Sequence, residues 1–265
     1  MTNRHNKILE ALTRNLRMEV TVLANMLQVS QVTVRKDLDS LEERGLIRRE
    51  HGYACIDGID NIGRRMATHY ETKRRLACLA AASVEEGETV MIESGSCCTL
   101  LAEELVNTKR DVTIVTNSAF IANHLRFVPS GKIILLGGYY QSESQVMVGP
   151  MTRKCGEVFF SDKYFIGTDG FSPGFGFTGK DHLRAQTVQD LAEQARQILV
   201  LTESEKFYQL GVVGLVRTED VSAVYTDEGI PGCAEEILLK NKVEVFKVKQ
   251  GECSELPLIS EDPLT

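Results

Sequence analysis

The sequence predicts an α/β protein in two parts: an N-terminal winged helix-turn-helix, then a mainly parallel, Rossmann-like α/β domain. Three observations predict it. Over the first 56 residues, three short helical periodicities precede a β-prone hairpin. From about residue 71 onward, short apolar runs alternate with helical stretches, the pattern of a parallel sheet covered on both faces. Charge divides at the same place. Residues 1–56 hold 9 Lys+Arg against 7 Asp+Glu, a net of +2, and the remainder holds 21 against 30, a net of −9. A chain of net −7 is poorly suited to a polyanion as a whole, but its N-terminal piece alone is suited to one.

In that piece, Ile8, Leu9 and Leu12 share one helix face, and Val20, Leu23, Ala24 and Leu27 share a second. Ser30 is an N-cap for a third helix, with Val34, Leu38 and Leu41 turned inward and Gly45 at the C′ position. The tight second-to-third turn makes the third helix the reader of a major groove. Its opening turns present Ser30, Gln31, Val32, Thr33, Arg35 and Lys36 as candidate contacts to double-stranded DNA. Asp39 and Glu42 point partly outward farther along, where groove contact is lost. Residues 46–56 read as two β arms around His51-Gly52, a wing whose Arg48, Arg49 and His51 face phosphates or a minor groove. The plainer alternative is a small helical bundle with a solvated basic face.

Residues 57–70 read as a polar, glycine-bearing linker, 71–250 as the second domain and 251–265 as a disordered acidic tail. Strands are expected at 89–93, 112–116, 132–136, 164–168, 197–202, 223–226 and 243–248. Helices are expected near 97–107, 118–126, 151–158, 182–195 and 233–241, with His124 on a helix surface. No run of about 18 apolar residues predicts a membrane span, and the start has no apolar leader, so cytoplasmic residence is expected. Seven cysteines without a CxxC pair argue against a disulfide framework or a zinc site, and no cofactor or metal is expected.

In open α/β sheets ligands bind beyond the carboxyl ends of the strands. The first such end reads Glu93-Ser94-Gly95-Ser96-Cys97-Cys98-Thr99, and it opens a helix. Small residues let backbone approach an anion, the helix start supplies free N–H groups, and Ser96 and Thr99 add hydroxyls. Thr116-Asn117-Ser118 ends the second strand and Gly137-Gly138 the third. Together they point to a phosphate-bearing ligand, although each alone is also an ordinary βα turn.

The pattern Arg4-x3-Ile8-x3-Leu12-x17-Ser30-x2-Thr33-Val34-Arg35-Lys36-Asp37-Leu38 resembles the helix-turn-helix signature of the DeoR family of transcriptional regulators. Asp37 lies toward the core flank and is read as bracing an Arg or a backbone group. The resemblance extends over roughly residues 1–250. Segment 93–97 resembles the family's Asp-x-Gly-Thr-Thr phosphate loop, with Glu93 for Asp, Ser96 for the first Thr and Cys97 for the second. Thr116-Asn117-Ser118, Gly137-Gly138, Gly149-Pro150, Gly167-x-Asp169-Gly170 and Lys206-Phe207 match further family positions. The resemblance implies a sensor domain like ribose-phosphate isomerase in fold, and a repressor of a carbohydrate-utilisation operon. It implies control by a phosphorylated sugar or polyol, with Lys206 on a phosphate or hydroxyl and Asp169 on sugar hydroxyls. A homo-oligomer, dimer or tetramer, is expected. Cys97 departs from the family's threonine, and Arg184 stands where many members have Glu, adding anion affinity or pairing with Glu93.

Two rivals use the same residues. Gly174-Phe175-Gly176-Phe177-Thr178-Gly179 is a literal GxGxxG, with Glu203 following a later strand, and would make a redox-sensing repressor that binds a dinucleotide. Against it, Asp169–Pro173 separate the motif from the preceding strand. Glu93, Asp169, Asp181 and Lys206 could instead do acid–base work in a sugar-phosphate isomerase-like enzyme. Cys97-Cys98 at a helix start raises a redox switch as a lesser option.

Overall fold

The structure, a computed structural model, describes residues 3–56, 62–128 and 131–249. The tail expected to be disordered lies outside these residues.

The first module follows the sequence closely. Helix α1 (Asn3–Asn15) packs on α2 (Val20–Leu27) and α3 (Gln31–Glu43), and Ile8, Leu12, Leu23, Leu38 and Leu41 are fully buried between them. Ser30 caps α3 by accepting the Thr33 N–H at 3.1 Å, and Gly45 takes the left-handed conformation past its end at φ +71. The wing is a hairpin of β2 (Arg48–Glu50) and β3 (Tyr53–Cys55) turning at His51-Gly52. A strand the sequence does not announce, β1 (Arg17–Glu19), pairs with β3 and makes the order β1-β3-β2.

Between the modules the structure departs from the expected linker. Residues 57–61 lie outside the described part, but α4 (Ile62–Ala67) is a helix whose Ile62 and Met66 are fully buried, and it packs on α1. Six residues are too few to display a period in the sequence, and the two arginines between the apolar positions make the segment look solvated. Helix α5 (Tyr70–Ala81) then begins the second module.

That module is built on a seven-stranded, wholly parallel sheet. Its strands are β4 (Thr89–Ile92), β5 (Thr113–Thr116), β6 (Lys132–Leu135), β9 (Ser161–Ile166), β12 (Ala195–Leu201), β14 (Ala223–Asp227) and β15 (Glu244–Val248), in the order β15-β14-β12-β9-β4-β5-β6. Every strand expected from the sequence is present within a few residues. The covering helices are α5, α6 (Ser96–Thr108), α7 (Ala119–His124), α8 (Pro150–Gly156), α9 (His182–Ala192) and α10 (Gly232–Lys240). Two antiparallel additions are not legible in the sequence. One is the hairpin β7 (Tyr139–Gln141) and β8 (Val146–Val148). The other is a small sheet of β10 (Gly170–Ser172), β11 (Gly176–Gly179) and β13 (Val213–Val216). The chain order places β4, β5 and β6 to one side and β9, β12, β14 and β15 to the other. The direction of winding therefore reverses between β4 and β9, which opens a crevice at their carboxyl ends.

The two modules are in contact. Arg126 Nη2 donates to the Glu43 carbonyl at 2.9 Å, and Arg44 at the end of α3 lies 3.7 Å from Glu103 on α6. Glu103 also meets His124 Nε2 at 3.0 Å. His124 is thus not a surface residue as expected: it is buried and stacked on Phe120. Burial pushes the Glu103 carboxyl up, but His124 and Arg44 outweigh it and hold Glu103 down at about 2.

Candidate functional site

The reader helix exposes Gln31, Val32, Arg35 and Lys36, with Val32 62% accessible, and half-buries Thr33. This is the outward face of the first two turns of α3, where a helix meets base edges. Asp37 is buried and faces the other way. Its Oδ1 accepts from Arg4 Nη2 at 2.8 Å and lies 3.3 Å from His5 Nε2, and its Oδ2 accepts from Arg4 Nε. Burial pushes Asp37 up, yet the Arg4 fork and His5 hold it below the ordinary carboxylate range. The acid therefore clamps α1 to α3 and leaves Arg35 and Lys36 as the exposed charges of these two turns.

The wing is less free than its sequence implies. Arg49 pairs with Asp39 through its guanidinium, and its N–H donates to Glu42 Oε1 at 2.8 Å. Arg48 lies 2.7 Å from Glu50 Oε1, and His51 is exposed at the tip. The two outward acids of α3 thus anchor the wing against the reader helix.

At the switch point between β4 and β9 lies a cavity of about 170 Å³. Glu93, Gly95, Ser96, Cys97, Asp169, Arg184 and Lys206 all line it. Gly95 precedes α6 without any side-chain cap, which leaves that helix start to the cavity. Glu93 spans the two switch strands: its Oε2 accepts the Gly95 N–H at 2.7 Å and the Gly167 N–H at 3.4 Å. A Cβ on Gly95 would stand 3.2 Å from Glu93 Oε2 and 3.5 Å from the Gly167 backbone, so a larger residue here would press on the Glu93 carboxylate. Asp169 accepts the Lys180 N–H at 3.0 Å, and Asp181 caps α9 through the Arg184 N–H at 2.8 Å. Arg184 stands 4.0 Å from Asp181, and Lys206 stands 3.4 Å from Glu205.

Five other expected residues do not line the cavity. Thr99 is buried and bonds back to the Gly95 carbonyl at 3.1 Å. Thr116 Oγ1 donates to the Ile92 carbonyl at 2.6 Å, and Asn117 Nδ2 donates to the Met147 carbonyl at 2.9 Å. Gly137 packs near Cys155, and a Cβ on Gly138 would fall 2.0 Å from Thr152 Oγ1 on α8. These ends serve packing and turns, because the β7–β8 hairpin covers them.

The cavity holds residues that sequence reasoning missed. Arg65 and Thr68 come from the segment read as linker, Lys73 from α5, Lys180 from the β11–α9 turn, Thr202 from just past β12 and Glu205 from the 3-10 helix Ser204–Tyr208, and Glu203, which the sequence offered only to a dinucleotide, joins them. Lys73 is only 3% exposed and lies 3.0 Å from Glu203 Oε1, itself 5% exposed. His69 Nδ1 is 3.7 Å from both Glu203 and Glu205. Burial pushes Glu203 up, but His69, Lys73 and Lys206 hold it at about 2, and the same contact with Glu203 raises His69. The available signal was a lysine on the buried stripe of α5, between Tyr70 and Ala77.

The two lesser chemistries meet obstacles here. Gly174 lies in the antiparallel β10–β11 hairpin and Gly176 begins β11, so the GxGxxG joins two strands and has no phosphate-facing helix start. Burial pushes both the Cys97 and Cys98 thiols up, away from the thiolate form a redox switch needs.

Comparison with known proteins finds a match for each module. The DeoR-like helix-turn-helix domain matches residues 4–58, and the DeoR C-terminal sensor domain matches residues 68–228. The glycerol-3-phosphate regulon repressor of Escherichia coli K12 is 28% identical over 248 residues, covering 92% of this chain and 98% of the relative. The regulator GolR of Listeria innocua is 28% identical over 231 residues, covering 86% and 91%. The putative aga operon transcriptional repressor of Escherichia coli O157:H7 is 27% identical over 253 residues, covering 93% and 94%. Among solved structures, ribose 5-phosphate isomerase from Plasmodium falciparum overlays on 52% of each chain with a TM-score of 0.39 and 14% identity. No helix among the described residues is long and apolar enough to cross a membrane. With a DNA-reading module and a sensor module both matched, the chain belongs to the DeoR family of DNA-binding transcriptional regulators.

Proposed function

We propose that this regulator represses a carbohydrate-utilisation operon and that a phosphorylated sugar or polyol, seated in the switch-point cavity, controls its hold on operator DNA. One observation carries the reading. The cavity joins an uncapped helix start to five cations (Arg65, Lys73, Lys180, Arg184, Lys206) and five carboxylates (Glu93, Asp169, Asp181, Glu203, Glu205). Helix N–H groups and cations suit a phosphate, and carboxylates suit hydroxyls. The named relatives, which include a repressor of a glycerol-3-phosphate regulon, support the same ligand class. A catalytic role is disfavoured because Glu93, Asp169, Asp181 and Glu203 are each held by backbone N–H groups or cations and not poised as bases.

On this reading residues 1–56 read DNA, and 71–250 together with Arg65 and Thr68 of the preceding segment sense the ligand, in a cytoplasmic homo-oligomer on paired half-sites about 34 Å apart or a multiple. Thermal shift of the full chain against phosphorylated and unphosphorylated sugars and polyols, followed by gel shift on its upstream region, tests the proposal. Stabilisation by a phosphorylated compound that also changes the gel shift is expected. Arg35→Ala should weaken specific DNA binding by ~1–3 kcal/mol. Stabilisation by NADH and not by any sugar phosphate overturns the ligand assignment.

A further inference from the structure

The six-residue helix α4 touches the cavity with one face and the DNA reader with another. Arg65, and Thr68 just past the helix end, line the cavity. Gly95 and Ser96, at the uncapped start of α6, line the same cavity. On another face, Ile62 and Met66 are fully buried in the same apolar cluster as Ile8, Leu9 and Leu12 of α1. Helix α1 in turn carries Arg4, which grips Asp37 in the middle of the reader helix. At its carboxyl end α4 is tied to the cavity, because Lys73 donates to the Arg65 carbonyl and pairs with Glu203. Packed elements of this kind shift as units, since close-packed interiors do not deform continuously.

We propose that Arg65 is an anion contact of the cavity, and that this contact carries cavity occupancy through α4 and α1 to the reader helix. The inference rests on the cavity being the effector site and adds how that site is read out. An anion at the α6 start draws Arg65 toward it. Because Arg65 shares six residues with Ile62 and Met66, the seat of α4 on α1 changes with it. The Arg4–Asp37 clamp passes that change to α3. No change at the DNA-facing side chains themselves is required.

The test is hydrogen–deuterium exchange on the full chain, without ligand and with glucose 6-phosphate, glycerol 3-phosphate or inorganic phosphate as probes, alongside calorimetric titration. In the wild type, a bound probe should slow exchange at residues 95–99 and also change it at 62–67 and 3–15. R65Q should bind the probe at least tenfold more weakly. At saturating probe R65Q should keep the effect at 95–99 and lose it at 62–67 and 3–15. R65K, which keeps the charge, should bind within about threefold of wild type. A probe that binds the wild type without altering 62–67 and 3–15 overturns the inference and leaves the effector reading standing, whether or not R65Q folds. So does R65Q binding as tightly as wild type. If no probe binds the wild type, the effector reading fails and takes the inference with it.

Discussion

Two strand ends of this molecule carry nearly the same chemistry and have opposite fates. At the end of β4, Ser94-Gly95-Ser96 leads into α6, and at the end of β5, Thr116-Asn117-Ser118 leads into α7. Both offer hydroxyls and a helix start. The first stays uncapped and opens into the cavity. The second is sealed: Ser118 caps its own helix by accepting the Ile121 N–H at 3.2 Å, and Asn117 exchanges bonds with Met147 of β8. Neighbourhood makes the difference. The β4 end lies at the reversal of winding and opens into the cavity, whereas the β5 end lies under β7–β8. Donor-bearing turns therefore recur in this sheet, and topology selects the one that opens into a cavity.

The contrast can be broken at several depths. The largest expected effect is Lys73→Met, which strands the Glu203 carboxylate under the cavity with one cation fewer. Breaking a buried pair in this way should destabilise the chain by about 3–5 kcal/mol in chemical denaturation. A loss below about 1 kcal/mol would mean that water reaches the pair and that the cavity floor is not dry. The same pair sets a pH dependence. Glu203 is held at about 2 against an ordinary 4.5, so its contribution is present above 4.5 and is lost as pH falls toward 2. His69 is raised above its ordinary 6.5, so its contribution is present below that value and is lost as pH rises through the raised one. Glu203→Gln should flatten the acid limb of a stability–pH curve, and an unchanged limb would remove Glu203 from the account.

Next comes Gly95→Val, which puts side-chain atoms against Glu93 and Gly167. Phosphorylated-ligand affinity should fall at least a hundredfold by calorimetry, about 2.7 kcal/mol. Ligand binding that survives this change would place the anion away from the α6 start. Lys206→Ala should weaken binding at least tenfold, in line with ~1.5–3 kcal/mol for a charge-assisted bond, with ligand-free operator affinity within about twofold. The sealed end supplies the control. Asn117→Ala should leave ligand affinity within about twofold, and a tenfold loss would show that the β5 end belongs to the site after all. Smallest is Ser118→Ala, which removes a cap worth about 1 kcal/mol in stability and should leave ligand binding unchanged.

What the sequence determined by itself is local. The reader helix, its Ser30 cap, the Gly45 stop and the His51-Gly52 wing turn all rest on periodicity and turn chemistry within a few residues, and they stand in the structure where those signals put them. The parallel strands were equally legible, because each is a short apolar run between turn residues. So was the inward role of Asp37, since helix geometry alone turns it from the DNA-facing side. The tertiary structure alone decided which strand ends form the site. Glu93, Gly167 and Glu203 meet because β4, β9 and β12 are adjacent in the sheet, an order no window of sequence encodes. It also decided that Arg49 anchors the wing through Asp39, and that Arg65 and Lys73 belong to the cavity. The physical reason is one of range. Caps, turns and helix faces are settled among near neighbours in the chain. Buried ion pairs and cavity walls are settled by which distant elements the core brings together.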